Sequence, residues 1–165
     1  SSERTIDLSA YTDMSQIIQE GSGPYAFLYS KRKNIIEPAV DQLKKAEHIS
    51  VYLKSDIPER FHFKNHHRIK DALIIADEGW YIQNQAISSS STAGQYVPTG
   101  GTHGYDNQLK SMHALFIAQG PAFKKDIVTE PFENVNIYPM IAHILGIDPS
   151  EKIDGNLNNI KHLLK

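Results

Sequence analysis

His103 lies in the run GGTHGYDN, residues 100–107, followed by QLKSMHALFIAQGPAF up to residue 123. These are the residue types of a site rim. A neutral imidazole can offer one nitrogen to a metal. Gly101 and Gly104 bracket it, and residues without side chains let the backbone take unusual angles and approach a ligand closely. The same pattern also builds a tight turn with no ligand, and the residue types alone leave both readings open.

The remaining chemical candidates read as structure. His62 and His66 have the i, i+4 spacing of a helical metal pair, but Phe61 and Phe63 alternate like a strand and His66-His67 falls at a turn, so surface histidines are expected. His113 and His143 have apolar neighbours and read as hydrogen-bonded, core or half-buried side chains. His48 and His162 read as surface residues near helix ends. Asp77-Glu78 falls at a hairpin turn before Gly79, and Glu59-Arg60 resembles a surface ion pair with no catalytic partner. The chain shows no nucleophile elbow, phosphate-binding glycine loop or dinucleotide fingerprint.

The elements that must position His103 follow from periodicity. Residues 24–30 (PYAFLYS) and 49–53 (ISVYL) read as strands, with a helix over 35–48 between them. Residues 60–64 (RFHFK) alternate, 71–77 (DALIIAD) read as a buried strand, and 79–83 (GWYIQ) follow after a two-residue turn as its hairpin partner. Residues 85–101 are serine- and glycine-rich and read as a loop. Beyond the motif, 111–120 read as a strand closed by Gly120-Pro121, and 134–145 as a helix. Asn134 or Asn136 can cap that helix, Pro139 falls in or near its first turn, and Gly146 ends it. The expected organisation is an α/β subdomain of two layers over residues 1–85, with a strand-helix-strand unit plus a hairpin. A mobile loop over 86–110 carries GTHGYDN, and a strand-helix segment occupies 111–165.

Composition narrows the function classes. The chain has 165 residues, a formal net charge of −2 with both signs interspersed, and no cysteine. Nucleic acid is therefore an unexpected partner, and any metal site must use histidine and carboxylates. No apolar run approaches the length of a membrane span, and residues 1–7 (SSERTID) lack a signal pattern.

Three blocks go further: DIPERFHFKNHHRIKDALIIADEGWYI, GTHGYDNQLKSMHALFIAQGPAF and FENVNIYPMIAHILGI, in that order. Together they resemble the C-terminal portion of the catalytic domain in the nucleotide pyrophosphatase/phosphodiesterase family of the alkaline phosphatase superfamily. RTIDLSAY resembles the segment soon after that family's Asp-His-Gly metal motif, and GNLNNIKHLLK its domain end. The resemblance implies that residues 24–84 form a small two-layer α/β excursion before the chain returns to an alkaline-phosphatase-like core. It also implies two zinc ions and a threonine nucleophile, so that the parent enzyme hydrolyses phosphodiester or pyrophosphate bonds of small molecules.

On this resemblance His103 matches the last zinc ligand, and its partner ligands are expected upstream of Ser1. No catalytic residue is expected within these 165 residues, which read as an excised piece, inactive alone, of an exported enzyme whose missing N-terminal part is its partner. Asp106 is the nearest candidate to hold the second nitrogen of His103, with turn capping as the alternative. The run Ser88–Thr92 and the lack of cysteine suggest a bacterial-type member. Two other classes compete: a non-catalytic α/β binding or structural module, and another superfamily hydrolase such as a phosphomonoesterase, sulfatase or phosphonate hydrolase. Nucleotide and lipid or choline esters are not separated by these residues.

Overall fold

The computed structural model describes residues 4–32, 34–83, 100–149 and 152–165. They divide into two compact units, Ser1–His113 and Ala114–Lys165.

The first unit is built on a four-stranded antiparallel sheet. Its strands are β2 (Ile18–Glu20), β3 (Tyr25–Tyr29), β4 (Ile49–Leu53) and β5 (Ala72–Ala76), in the order β2-β3-β5-β4. β3 and β4 are both antiparallel to β5, so they run parallel to each other with β5 inserted between them. Every residue of β5 is buried. An ALIIA run has no polar face to offer solvent, so it takes the central place where both faces are covered. On one face lies helix α1 (Ile36–Leu43), whose buried Ile36, Ala39, Val40 and Leu43 follow the i, i+3, i+4, i+7 stripe of an amphipathic helix. They pack with Ala26, Leu28, Val51, Ala72 and Ile74. On the other face Leu73 and Ile75 pack with Ile57 and the partly buried Phe27, Tyr52, Phe61 and Ile69. A short parallel pair, β1 (Thr5–Ile6) with β6 (Tyr81–Ile82), completes the unit.

Several local expectations change. The hairpin is not formed by 71–77 and 79–83, because β6 turns away after Gly79 and pairs with β1; the antiparallel hairpin of this unit is β2 with β3. Residues 60–64 do not form a strand. Glu59–Phe61 is a 3-10 turn opened by Pro58, and His62 takes a left-handed backbone at φ 48°. A proline lacks the N–H a ladder needs, and among the described residues the Phe alternation has no neighbouring strand to pair with. The first helix is shorter than the expected 35–48. After Leu43 the chain tightens through Lys45 N–H to Gln42 O and Ala46 N–H to Leu43 O, then reverses at His48, φ 64°, to enter β4.

In the second unit, helix α2 (Ile137–Leu145) follows a 3-10 turn at Asn134–Asn136. Pro139 lies in its first turn, and Gly146 closes it in the left-handed region as expected. The asparagine cap is absent. Asn136 is buried and its side-chain oxygen instead accepts from the Asn156 N–H at 2.8 Å and from Asn159 Nδ2 at 3.4 Å, tying the helix start to the C-terminal segment. Met140, Ile160, Leu163 and Leu164 form the core, with Phe116, Phe123 and Phe132 against it. The strand expected over 111–120 is also absent. Lys110–Met112 is a 3-10 turn, and the following residues are irregular, with Leu115 85 % and Ile117 80 % exposed. Strand propensity is realised only where a neighbour satisfies the backbone groups, and among the described residues no strand lies beside this run.

Candidate functional site

The GTHGYDN loop is fixed to the first unit from its C-terminal side. Gly104 adopts φ +107°, and a Cβ placed there would stand 3.2 Å from the Tyr25 ring. Only glycine combines that angle with that approach. Tyr105 is partly buried against the helix-side core, and its hydroxyl donates to the Trp80 carbonyl at 3.0 Å.

Asp106 is the anchor. Its two carboxylate oxygens accept from Arg60 Nη1 at 2.7 Å and Nη2 at 2.5 Å, the bidentate geometry in which a guanidinium fork matches a carboxylate. Arg60 Nη1 also donates to Asn107 Oδ1 at 2.6 Å, and Asn107 Nδ2 donates back to the Arg60 carbonyl at 3.4 Å. The guanidinium carbon lies 4.1 Å from the centroid of the Phe61 ring. The Arg60 hydrogen bonds, helped by the Gln108 N–H at 2.9 Å, hold the Asp106 carboxyl below its ordinary value against the opposing effect of burial. The bond to Asp106 raises Arg60 in turn.

Arg60 is thus the residue that sequence reasoning misplaced. It does not pair with Glu59, whose carboxylate meets Lys64. Its partner lies 46 residues away, and a pairing across that span has no local signature. The turn-capping alternative for Asp106 is visible, since its Oδ1 accepts from the Gln108 N–H two residues on.

His103 itself is exposed, and its ring bonds to no other described residue. His62, His66 and His67 are exposed, as expected. His113 and His143 are exposed as well, which corrects the expectation of buried or half-buried rings: irregular chain follows the first, and the second stands on α2 next to the exposed Ile144 and Leu145. His48, read as a plain surface residue, stacks on Trp80 with ring centroids 3.8 Å apart and Nδ1 3.2 Å from Asp77 Oδ2. Asp77 serves the turn into β6, where the Trp80 N–H donates to its carbonyl.

A catalytic zinc is held by about three protein ligands. Among the described residues no group of three or more His, Cys, Asp or Glu side chains gathers. His103 fits one place in such a set: an unengaged imidazole on a loop whose base is fixed. Residues 84–99, which include most of the expected mobile loop and the Ser88–Thr92 run, lie outside the described residues.

A profile of the type I phosphodiesterase / nucleotide pyrophosphatase family matches residues 1–106. A Xenopus laevis bis(5'-adenosyl)-triphosphatase is 45 % identical over 118 residues, 71 % of this chain and 24 % of the relative. The Mus musculus protein of the same description is 39 % identical over 165 residues, 99 % of this chain and 34 % of the relative. Among solved structures, an inactive form of murine ectonucleotide pyrophosphatase / phosphodiesterase 5 in complex with AMP matches with a TM-score of 0.79 at 31 % identity, covering all of this chain and 42 % of that one. The mixed α/β fold with its small sheet and helix subdomains is the fold of these neighbours. The chain spans about a third or less of the length of the curated relatives described.

Proposed function

The chain belongs to the type I phosphodiesterase / nucleotide pyrophosphatase family, and from that premise we propose that it is the C-terminal part of the catalytic domain of a zinc-dependent hydrolase and supplies the last metal-binding histidine, His103. The substrates are phosphodiester or pyrophosphate bonds of nucleotides. That class is favoured over lipid or choline esters by the relatives, two described as bis(5'-adenosyl)-triphosphatases and one solved with AMP. The threonine nucleophile and the other ligands belong to the part of the protein outside these residues. A relative described as an ectonucleotide enzyme carries the companion proposal that the protein is exported. A bacterial-type origin rests only on the missing cysteines and the Ser88–Thr92 run, while the relatives described above are vertebrate.

One observation carries the reading: the motif loop is anchored at Tyr105, Asp106 and Asn107 while the His103 imidazole is left unengaged. Bonds at the base reduce the freedom of the loop before any ligand arrives. Bound zinc in such an enzyme polarises a phosphoryl oxygen and lowers the pKa of a water. This chain's share is narrower. Gly104 lets the turn lie on Tyr25, Arg60 neutralises Asp106, and His103 presents a nitrogen.

The test uses the complete protein. His103→Ala should lower zinc content and reduce hydrolysis of a chromogenic nucleotide ester by orders of magnitude, whereas Ile75→Ala should lower stability and leave zinc stoichiometry unchanged. The 165-residue chain alone should show no turnover with or without added zinc. Normal zinc and turnover in His103→Ala would overturn the metal assignment, and turnover by the isolated chain would overturn the placement of the nucleophile elsewhere.

A further inference from the structure

Arg60 enters the reading just proposed only as the counter-charge of Asp106, yet its whole guanidinium is committed to the His103 loop. With its side chain 29 % exposed, it grips Asp106 through two parallel bonds and Asn107 through a third, and it rests on Phe61, which is seated in the sheet-side core. The loop needs such a grip. Gly104 has no side chain to stiffen the apex, and the Tyr105 hydroxyl bonds from the far end of a long lever. The Arg60–Asp106 contact is three residues from His103 and, being bidentate, fixes rotation as well as position.

We propose that Arg60 is a positioning residue for His103: acting through Asp106 and Asn107, it sets where the Thr102–Gly104 apex stands on the sheet and so where the imidazole is presented. The inference rests on His103 being a zinc ligand. A lysine at position 60 keeps the charge and the stem but cannot form the fork, and an asparagine at 106 keeps the shape but not the charge.

In the complete protein, zinc affinity is measured by chelator competition for wild type, Arg60→Lys, Asp106→Asn, His103→Ala and the double variant Arg60→Lys/His103→Ala. Hydrogen exchange of the amides over 101–109 is read alongside. Arg60→Lys and Asp106→Asn should each weaken zinc binding by about 10-fold, the lower end for groups that orient a metal ligand, and should speed exchange over 101–109. In the His103→Ala background, Arg60→Lys should change the residual affinity no further, because both changes act on one ligand. Wild-type zinc affinity in both Arg60→Lys and Asp106→Asn, with zinc lost in His103→Ala, overturns the positioning role and leaves His103 as a ligand. Zinc affinity unchanged in His103→Ala refutes the ligand reading and this inference together. An equal loss from Arg60→Lys with and without His103 shows that the effect does not run through the imidazole and also overturns it.

Discussion

Ile74 and Ile75 are neighbours at the centre of β5 and face opposite layers. Ile74 is fully buried on the helix side between Ala26 and Val51, and Ile75 packs on the other side with Ile57 and Leu73. Replacing either by alanine removes a methyl and an ethyl group, about 2.4 kcal/mol at about 0.8 kcal/mol per buried carbon. A cavity term of about 1 to 2 kcal/mol adds to this where the surroundings cannot collapse. Ile74 has β-strand and helix side chains around it and should lose about 3 to 4 kcal/mol. Around Ile75 the partly buried Phe27 and Phe61 can settle into the space, so about 2 to 3 kcal/mol is expected. The assay is urea unfolding of the 165-residue chain followed by Trp80, the single tryptophan, which lies in the same unit. Val128→Ala, at a side chain 99 % exposed, serves as reference and should stay within about 0.5 kcal/mol. A strand covered on one face only would lose stability at one position and not the other. If either isoleucine variant unfolds within about 1 kcal/mol of Val128→Ala, the two-sided burial of β5 is wrong.

Asp106 titrates below its ordinary value because Arg60 and the Gln108 N–H favour the charged form. Its contribution should therefore be complete above the unfolded value of about 3.9 and disappear as pH falls through the lower folded value; the stability gap between wild type and Asp106→Asn, followed by thermal melts from pH 7 downwards, should close only in that acid window, and a gap unchanged at the lowest pH would contradict the ion pair. Gly155 lies so close to the turn that leads into α2 that an added Cβ would meet the Val135 carbonyl oxygen at 2.0 Å. Gly155→Ala should displace the 154–157 segment, break the Asn156 bond to Asn136 and cost about 1 to 3 kcal/mol by overpacking, read as a lower melting temperature and faster exchange at the Asn156 amide; an unchanged amide would show that the close approach is not there.

What could be read from the chain was whatever local periodicity carries. The 25–29 and 49–53 strands, the buried 72–76 strand, the stripe of the first helix and the glycine that ends the second are all encoded within a few residues of themselves. The motif around His103 was equally local, because its glycines, histidine and Asp-Asn pair are contiguous. Two misreadings had one cause. Residues 60–64 and 111–120 have strand-like patterns, but a strand is completed by its neighbours, and neither run has one among the described residues.

Residue types and their spacing thus determined the mixed α/β class, the buried strand and the candidate site loop, since burial patterns and turn chemistry act over the span of one element. Tertiary structure alone decided that β6 leaves β5 to pair with β1, that Asn136 binds the C-terminal segment instead of capping its helix, and that Arg60 closes on Asp106. Each of these joins groups tens of residues apart, and such pairings are selected by which buried donors and acceptors the folded layers bring within reach, a constraint that exists only once the sheet has formed.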